Sequence, residues 1–155
     1  MDTTDGQADD PIRGVVDQVV SAAPDAVIVV DDQGLVAYWN GGAERIFGFS
    51  KAEAVGHNLD LIIPERLRQR HWTAFHEAIS SGASRYGPDD LLAVPAVTKD
   101  GSKISVEFSV ALVRRDGAVT HVGAIMRDVT QRRADEMELR RRLADLERGG
   151  EHPPS

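Results

Sequence analysis

His71 lies in the stretch ERLRQRHWTAFHEAI, residues 65–79, in which apolar side chains recur at spacings of three and four. This spacing places Leu67, Ala74 and Phe75 on one face of a helix, and His71 lies on the same face. A single histidine on an apolar face is usually a core residue satisfied by a hydrogen bond. A neutral imidazole is also a common metal ligand. The spacing alone leaves both interpretations open, so the rest of the chain must decide between them.

The composition narrows the class of protein. The chain has 155 residues, enough for one domain that buries a core, and its 41% hydrophobic and 28% charged residues predict a soluble globular protein. The formal net charge of -7 argues against nucleic acid as the main partner. No apolar run approaches the roughly 18 residues that span a bilayer. Because the polar N-terminus is also unlike a signal peptide, we expect a cytoplasmic protein with no membrane partner.

Cysteine is absent from the sequence. Its absence excludes disulfides, thiolate metal sites and cysteine nucleophiles. It also excludes photochemistry that requires a cysteine adduct to a flavin.

The N-terminal part of the chain is predicted to form a tail, a helix and a hairpin. Residues 1–9 are polar, and we expect them to be disordered. An Asp-Pro pair opens a helix predicted over residues 10–22, since aspartate suits the N-cap and proline the first helical position. The apolar run 26–30 and the segment 35–40 predict two paired strands.

Helices and then three more strands follow. The capping-box pattern of Ser50 and Glu53 predicts the start of a short helix, and a longer helix carrying His71 covers about 65–81. Strands are then predicted at 91–98, 103–113 and 119–128. The middle strand alternates apolar and polar residues, so one of its faces is expected to be buried.

This order of elements resembles a PAS domain. The resemblance is carried by PDAVIVVDDQGLVAYWNGGAERIFGFSKAEAVGHNL, by the TKDG turn with the alternating strand after it, and by AIMRDVTQRR. It covers about residues 12–148 and implies an α+β fold, a five-stranded antiparallel sheet with helices on one face. The PAS domain would occupy residues 10–128, including an N-terminal cap helix at 10–22. In such domains the pocket lies between the long helix and the sheet.

The helix around His71 resembles that of haem-binding PAS oxygen and gas sensors of the FixL and direct-oxygen-sensor type. In those proteins a histidine after a P…LR segment ligates the haem iron, and His71 occupies that position. The resemblance therefore implies that His71 is the proximal ligand of haem b (iron protoporphyrin IX), in a sensor of O2, CO, NO or redox state. It also implies cofactor-binding residues on this helix and on the strands after it: Leu67, Trp72, Phe75, Leu92, Val94, Val122, Ala124 and Met126. Two further residues, Arg85 and Tyr86, are candidate partners of the haem propionates.

The distal side departs from this pattern. Leu92 stands where the oxygen-sensing relatives usually carry an arginine, so we expect an apolar distal pocket. Met126 is expected to point into the same pocket, where its thioether could ligate iron. A role as simple pocket lining is the more common one for a core methionine.

The C-terminal part of the chain predicts a signalling helix. Residues 129–148 form a charged helix with a weak heptad pattern, and residues 149–155 are expected to be a disordered tail. Too few residues follow 128 for a typical output domain of about 100 residues, so no enzymatic activity is expected. The apolar stripe at 12–20 and the C-terminal helix predict a homodimer, which would relay its signal to a downstream signalling protein.

Two other functions remain open from the sequence. One is a cofactor-free PAS module for dimerisation or interaction. The other is a PAS sensor for a flavin or a small organic ligand, where a flavin would favour aromatic stacking. The colour of the purified protein distinguishes them: red-brown for haem, yellow for a flavin, and colourless for the others.

Overall fold

The sheet and helices predicted from the sequence are present in the computed structural model, which describes residues 10–84 and 91–150. The strands are β1 (Ala26–Asp31), β2 (Val36–Trp39), β3 (Leu92–Val97), β4 (Lys103–Arg115) and β5 (Ala118–Asp128). The helices are α1 (Pro11–Ala22), α2 (Gly41–Phe47), α3 (Lys51–Ala54), α4 (Arg68–Ser81) and α5 (Thr130–Gly150). The strands form one antiparallel sheet of order β2-β1-β5-β4-β3. The first and last strands of the chain, β1 and β5, are therefore paired inside the sheet.

The long helix predicted over residues 65–81 divides into two parts. Residues Glu65–Leu67 form a single 3-10 turn, and α4 begins at Arg68. The backbone N–H of Leu67 donates to the carbonyl of Pro64, three residues back, which is 3-10 rather than α geometry. Such tightened turns are common at helix ends, so the sequence pattern extends past the regular helix.

Asn40 fixes the helices of the N-terminal half against the sheet. Its side chain is almost fully buried, and Oδ1 accepts hydrogen bonds from the backbone N–H groups of Val27 and Ala43 at 2.8 and 2.9 Å. Its amide Nδ2 donates to the carbonyls of Val20 and Asp25 at 2.7 and 3.0 Å. The end of α1, strand β1 and the start of α2 are therefore joined through one side chain.

The helices between β2 and β3 pack on one face of the sheet. The buried core on this face includes Phe47 and Phe75 from the helices and Ile28, Trp39 and Val106 from the strands. The helix α1 contributes no buried residue to it. Within residues 10–84 and 91–150, none of the helices combines the length and apolar character needed to cross a bilayer.

Candidate functional site

A cavity of about 510 Å³ lies between α4 and the inner face of the sheet. Its volume is within the range of about 300–1,000 Å³ that is typical of small-molecule sites. Strands β1, β3, β4 and β5 contribute one wall, and α4 with the segment before it contributes the other. The lining contains these residues predicted from the sequence: Leu67, His71, Phe75, Leu92, Val94, Val122, Ala124 and Met126.

The strand register explains why the sheet wall of the cavity is apolar. Phe108 of β4 pairs with Leu92 on one side and with Met126 on the other, so one row of apolar side chains crosses three strands. In the next row, Val106 pairs with Val94 of β3. Residues directly opposite one another project from the same face of a sheet. The side chains of these two rows therefore all point into the cavity.

His71 carries an imidazole nitrogen for which residues 10–84 and 91–150 supply no hydrogen-bond partner. The residue lines the cavity, and its Nδ1 is buried without a hydrogen bond among the described residues. Burial lowers the pKa of the imidazole below its ordinary value, while the negative charge of Asp60 partly opposes this shift. The imidazole is therefore neutral at neutral pH, and the neutral form is the one that ligates metals.

This geometry bears on the two interpretations of His71. A core histidine satisfied by a hydrogen bond would have a partner for its buried nitrogen, and the described residues supply none. A buried polar atom without a partner costs free energy, because it has lost its hydrogen bonds to water. A ligand that binds the imidazole offsets that cost, so the residue is suited to coordinate a group held in the cavity.

Trp72 lies outside the cavity lining, contrary to its expected place among the cofactor-binding residues. Its Nε1 donates to Asp60 Oδ1 at 2.7 Å, and its ring lies over Gly34 in the turn between β1 and β2. Successive residues of a helix are turned by about 100°, so Trp72 points to this turn while His71 points to the cavity. The two rings meet edge-on with centroids 4.5 Å apart, and Trp72 supports the imidazole from the side.

Arg70 lines the cavity although the sequence pattern does not single it out. The residue is exposed overall, so its side chain lies where the cavity opens to solvent. Within the described part of the chain it makes no hydrogen bond and no ion pair. In the sequence, Arg70 is one of three closely spaced arginines with Arg66 and Arg68, a pattern typical of a solvent-exposed basic face. The pattern therefore gives no indication that Arg70 contacts the cavity.

Further lining residues come from β1 and from the segment before α4. The sequence gives no clear signal for them, since the run AVIVV is apolar on both faces and the segment before α4 has no regular period. They include Ile28, Val30, Leu59, Ile62 and Ile63.

The remaining residues to place are the two predicted propionate partners and the other histidines. Arg85 and Tyr86, expected near the propionates, lie outside the described residues. His57 and His76 are exposed, and the half-buried His121 has its Nδ1 3.0 Å from the hydroxyl of the preceding threonine. Among the described residues no group of three or more His, Asp or Glu side chains is placed to hold a metal ion.

The family model described as the PAS fold matches residues 20–134 of the chain. The chain is a PAS protein. The PAS domain is 27% identical to the sensor protein FixL of Bradyrhizobium diazoefficiens over 135 residues, which cover 83% of this chain and 25% of FixL. It is 28% identical to the oxygen sensor protein DosP of Escherichia coli over 134 residues, which cover 86% of this chain and 16% of DosP. The chain thus spans a quarter or less of these relatives, and the predicted resemblance to this group is confirmed.

Solved structures confirm the predicted fold class. The PAS domain of a protein from Colwellia psychrerythraea aligns with a TM-score of 0.67 at 21% identity, covering 77% of this chain and 98% of that one. An RNA-binding light-oxygen-voltage receptor aligns with a TM-score of 0.68 at 25% identity, covering 86% of this chain and 37% of that one. The PAS domain is therefore an α+β domain with the expected five-stranded antiparallel sheet.

Proposed function

We propose that this PAS domain binds haem b in the cavity between α4 and the sheet, with His71 as the proximal ligand. The observation that carries the proposal is the neutral imidazole with a buried, unpartnered nitrogen in an apolar cavity of about 510 Å³. The similarity to an oxygen sensor protein over most of the chain supports a sensory role. When bound, the haem iron would supply the site for O2, CO or NO, or for a change of redox state.

The chain's own residues would hold and shield the cofactor. His71 supplies the nitrogen ligand, and the Trp72 ring restricts its rotation because the indole is itself fixed by Asp60. Phe75 is buried behind the imidazole, with ring centroids 6.4 Å apart. This packing would keep the imidazole oriented before the cofactor enters.

The sheet side would form the distal pocket. The side chains that β3, β4 and β5 contribute to the described lining include Leu92, Val94, Val122 and Ala124, and none of this set carries a hydrogen-bond donor. Met126 is buried in the same wall. We assign it as pocket lining, with iron ligation through its thioether as the testable alternative. A six-coordinate low-spin ferrous spectrum would support ligation by Met126, and a five-coordinate spectrum would exclude it.

Strand β4 offers a route from the cavity to α5. Val106 and Phe108 face the cavity, while the residues that alternate with them contact the start of α5. The backbone N–H of Ser105 donates to Thr130 Oγ1 at 2.9 Å, and Glu107 forms an ion pair with Arg132. A displacement of β4 by an event in the cavity would therefore move the first turn of α5. In the proposed function this helix passes the signal to a downstream signalling protein in the cytoplasm, and the domain is itself non-catalytic.

The proposed sensor is a homodimer. The apolar side chains of α1, Ile12, Val15, Val16 and Val19, are 52–64% exposed, and PAS domains commonly pair. Leu139, Leu143 and Leu146 of α5 are also more than half exposed. Light scattering should give the mass of a dimer, and a monomer mass across a wide concentration range would contradict this part of the proposal.

The experiment that tests the proposed function is a titration of the purified protein with haemin, with flavin mononucleotide in parallel. We expect a saturable one-to-one Soret band with haemin and no change in flavin fluorescence. Saturable binding of the flavin and no Soret band would replace haem by a flavin as the ligand. Binding of neither would favour a cofactor-free interaction module.

A further inference from the structure

We propose that Arg70 is the anchor for an anionic group of the molecule in the cavity. The inference deepens the proposed function and rests on it for the identity of the ligand, which for haem makes the anionic group a propionate carboxylate. The chemical class is broader: an apolar body with a carboxylate or similar anion at its edge. Arg70 favours ligands that carry this anion over neutral ligands of the same shape.

The first support is the position of Arg70 in an otherwise apolar lining. Apart from His71, every other described residue that lines the cavity has an uncharged, apolar side chain. Small-molecule sites are commonly built in this way, with apolar walls and a few polar groups that fix the orientation of the ligand. Because Arg70 is exposed while His71 is half-buried, the charge lies at the opening and the imidazole lies inside.

The second support is the free bonding capacity of the guanidinium. Arg68, two residues earlier in the chain, uses its guanidinium to donate to the carbonyls of Ile63 and Asp60. Arg70 has none among the described residues. A guanidinium presents a planar fork of donors that matches a carboxylate in two parallel hydrogen bonds.

The third support is the electrostatic field at the N-terminal end of α4. Arg70 is in the first turn of the helix, which begins without a side-chain N-cap. The aligned peptide dipoles of a helix give its start a partial positive charge, which favours an anion nearby. The helix and the guanidinium therefore act in the same direction, and a carboxylate at the opening would lie close to both.

The test compares two ligands that share the porphyrin body and differ in the charge of the propionates. The wild-type protein, Arg70→Gln and Arg66→Gln are titrated with haemin and with haemin dimethyl ester, in which both propionates are neutral. Arg66 is an exposed arginine nearby that does not line the cavity, so its variant has the same loss of charge and is the matched control. Circular dichroism confirms that the three proteins have the same fold.

We expect Arg70→Gln to weaken haemin binding by about tenfold or more, the scale of one charge-assisted hydrogen bond, and to leave ester binding within about twofold. Arg66→Gln should change neither affinity by more than about twofold, as expected for an exposed charge. Equal weakening of haemin and ester would indicate a structural effect and overturn the proposal. Unchanged haemin binding in Arg70→Gln would overturn it as well.

A second pair of probes separates this proposal from the proposed function. The fluorescent anion 1-anilinonaphthalene-8-sulfonate and its neutral counterpart N-phenyl-1-naphthylamine share one aromatic skeleton and need no iron ligand. Arg70→Gln should weaken the sulfonate selectively, and Arg66→Gln should not. If haemin fails to bind but this selectivity holds, haem is the wrong ligand and the anion site stands. If the variant loses both probes equally, or if the wild type binds the anion no better than the variant, Arg70 is not an anion anchor.

Discussion

Replacing His71 by leucine should stabilise the protein in the absence of haem while removing its capacity to bind haem. The buried Nδ1 of His71 has no hydrogen-bond partner in the part of the chain that the structure describes, and leaving a buried polar group unpaired costs about 1–3 kcal/mol. Leucine is similar in bulk, is apolar like the surrounding cavity wall, and has a slightly higher helix propensity. Because His71 is half-buried, we take the lower part of the range and expect about 1 kcal/mol of added stability.

This stabilisation should increase as the pH falls. The pKa of His71 in the folded protein is below its ordinary value of 6.5 because the imidazole is buried. In the unfolded chain the imidazole protonates near that ordinary value, whereas in the folded protein it does not. The wild type therefore loses stability as the pH falls from above 6.5 through the folded-state pKa, and the leucine variant lacks this loss.

Urea unfolding followed by circular dichroism measures both effects on haem-free protein. The difference in the free energy of unfolding between His71→Leu and wild type should be larger at about pH 5.5 than at about pH 8, since a free histidine titrates near pH 6.5. The control is His76→Leu, an exposed position on the same helix, which should lie within about 0.5 kcal/mol of wild type. A destabilised His71→Leu, or a difference that does not depend on pH, would refute the argument from the unpaired nitrogen.

Three further substitutions test other parts of the structure. Gly34→Ala should destabilise the protein and shift the haem spectrum, because a Cβ there would lie 2.5 Å from a ring carbon of Trp72. The control is Gly101→Ala, where φ is similarly positive but no atom lies within 4 Å of the new Cβ. This control should lose only the free energy of the backbone strain, about 1 kcal/mol. Equal losses in thermal unfolding would contradict this. Asn40→Ala removes the four hydrogen bonds of a buried side chain and should cost about 3 kcal/mol or more in urea unfolding. A loss below about 1 kcal/mol would show that the network is not needed. Leu92→Arg should slow oxygen dissociation in stopped-flow measurements of the haem-loaded protein, since it supplies a donor to an apolar wall, and an unchanged rate would mean that the side chain does not reach the ligand.

The sheet and its inward face follow from local patterns. Alternation is a property of the strand itself, so the positions of Val106 and Phe108 on the buried face of β4 could be predicted without knowing their neighbours. The inward positions of Leu92, Val94 and Met126 come instead from the resemblance to PAS domains. The capping box of Ser50 and Glu53 is equally local, and both of its hydrogen bonds are present. Each of these features depends on residues close together in the sequence, which is why the pattern is sufficient.

Features that depend on distant residues could not be read in this way. Trp72 points away from the cavity because Gly34, far away in sequence, leaves room for its ring in the hairpin turn. Ile28 lines the cavity, yet its strand is apolar on both faces and gives no sign of which side faces inward. In the sequence Arg70 resembles its neighbours Arg66 and Arg68, and only the position of α4 over the sheet brings it to the opening.

The measurement that tests the central claim most directly is the ferrous absorption spectrum of His71→Ala after incubation with haemin and reduction, with and without added imidazole. We expect wild type and His76→Ala to show the same Soret band, His71→Ala to show none, and free imidazole to restore it in His71→Ala by occupying the position of the missing side chain. A band in His71→Ala identical to that of wild type without added imidazole would contradict the assignment of His71 as the iron ligand.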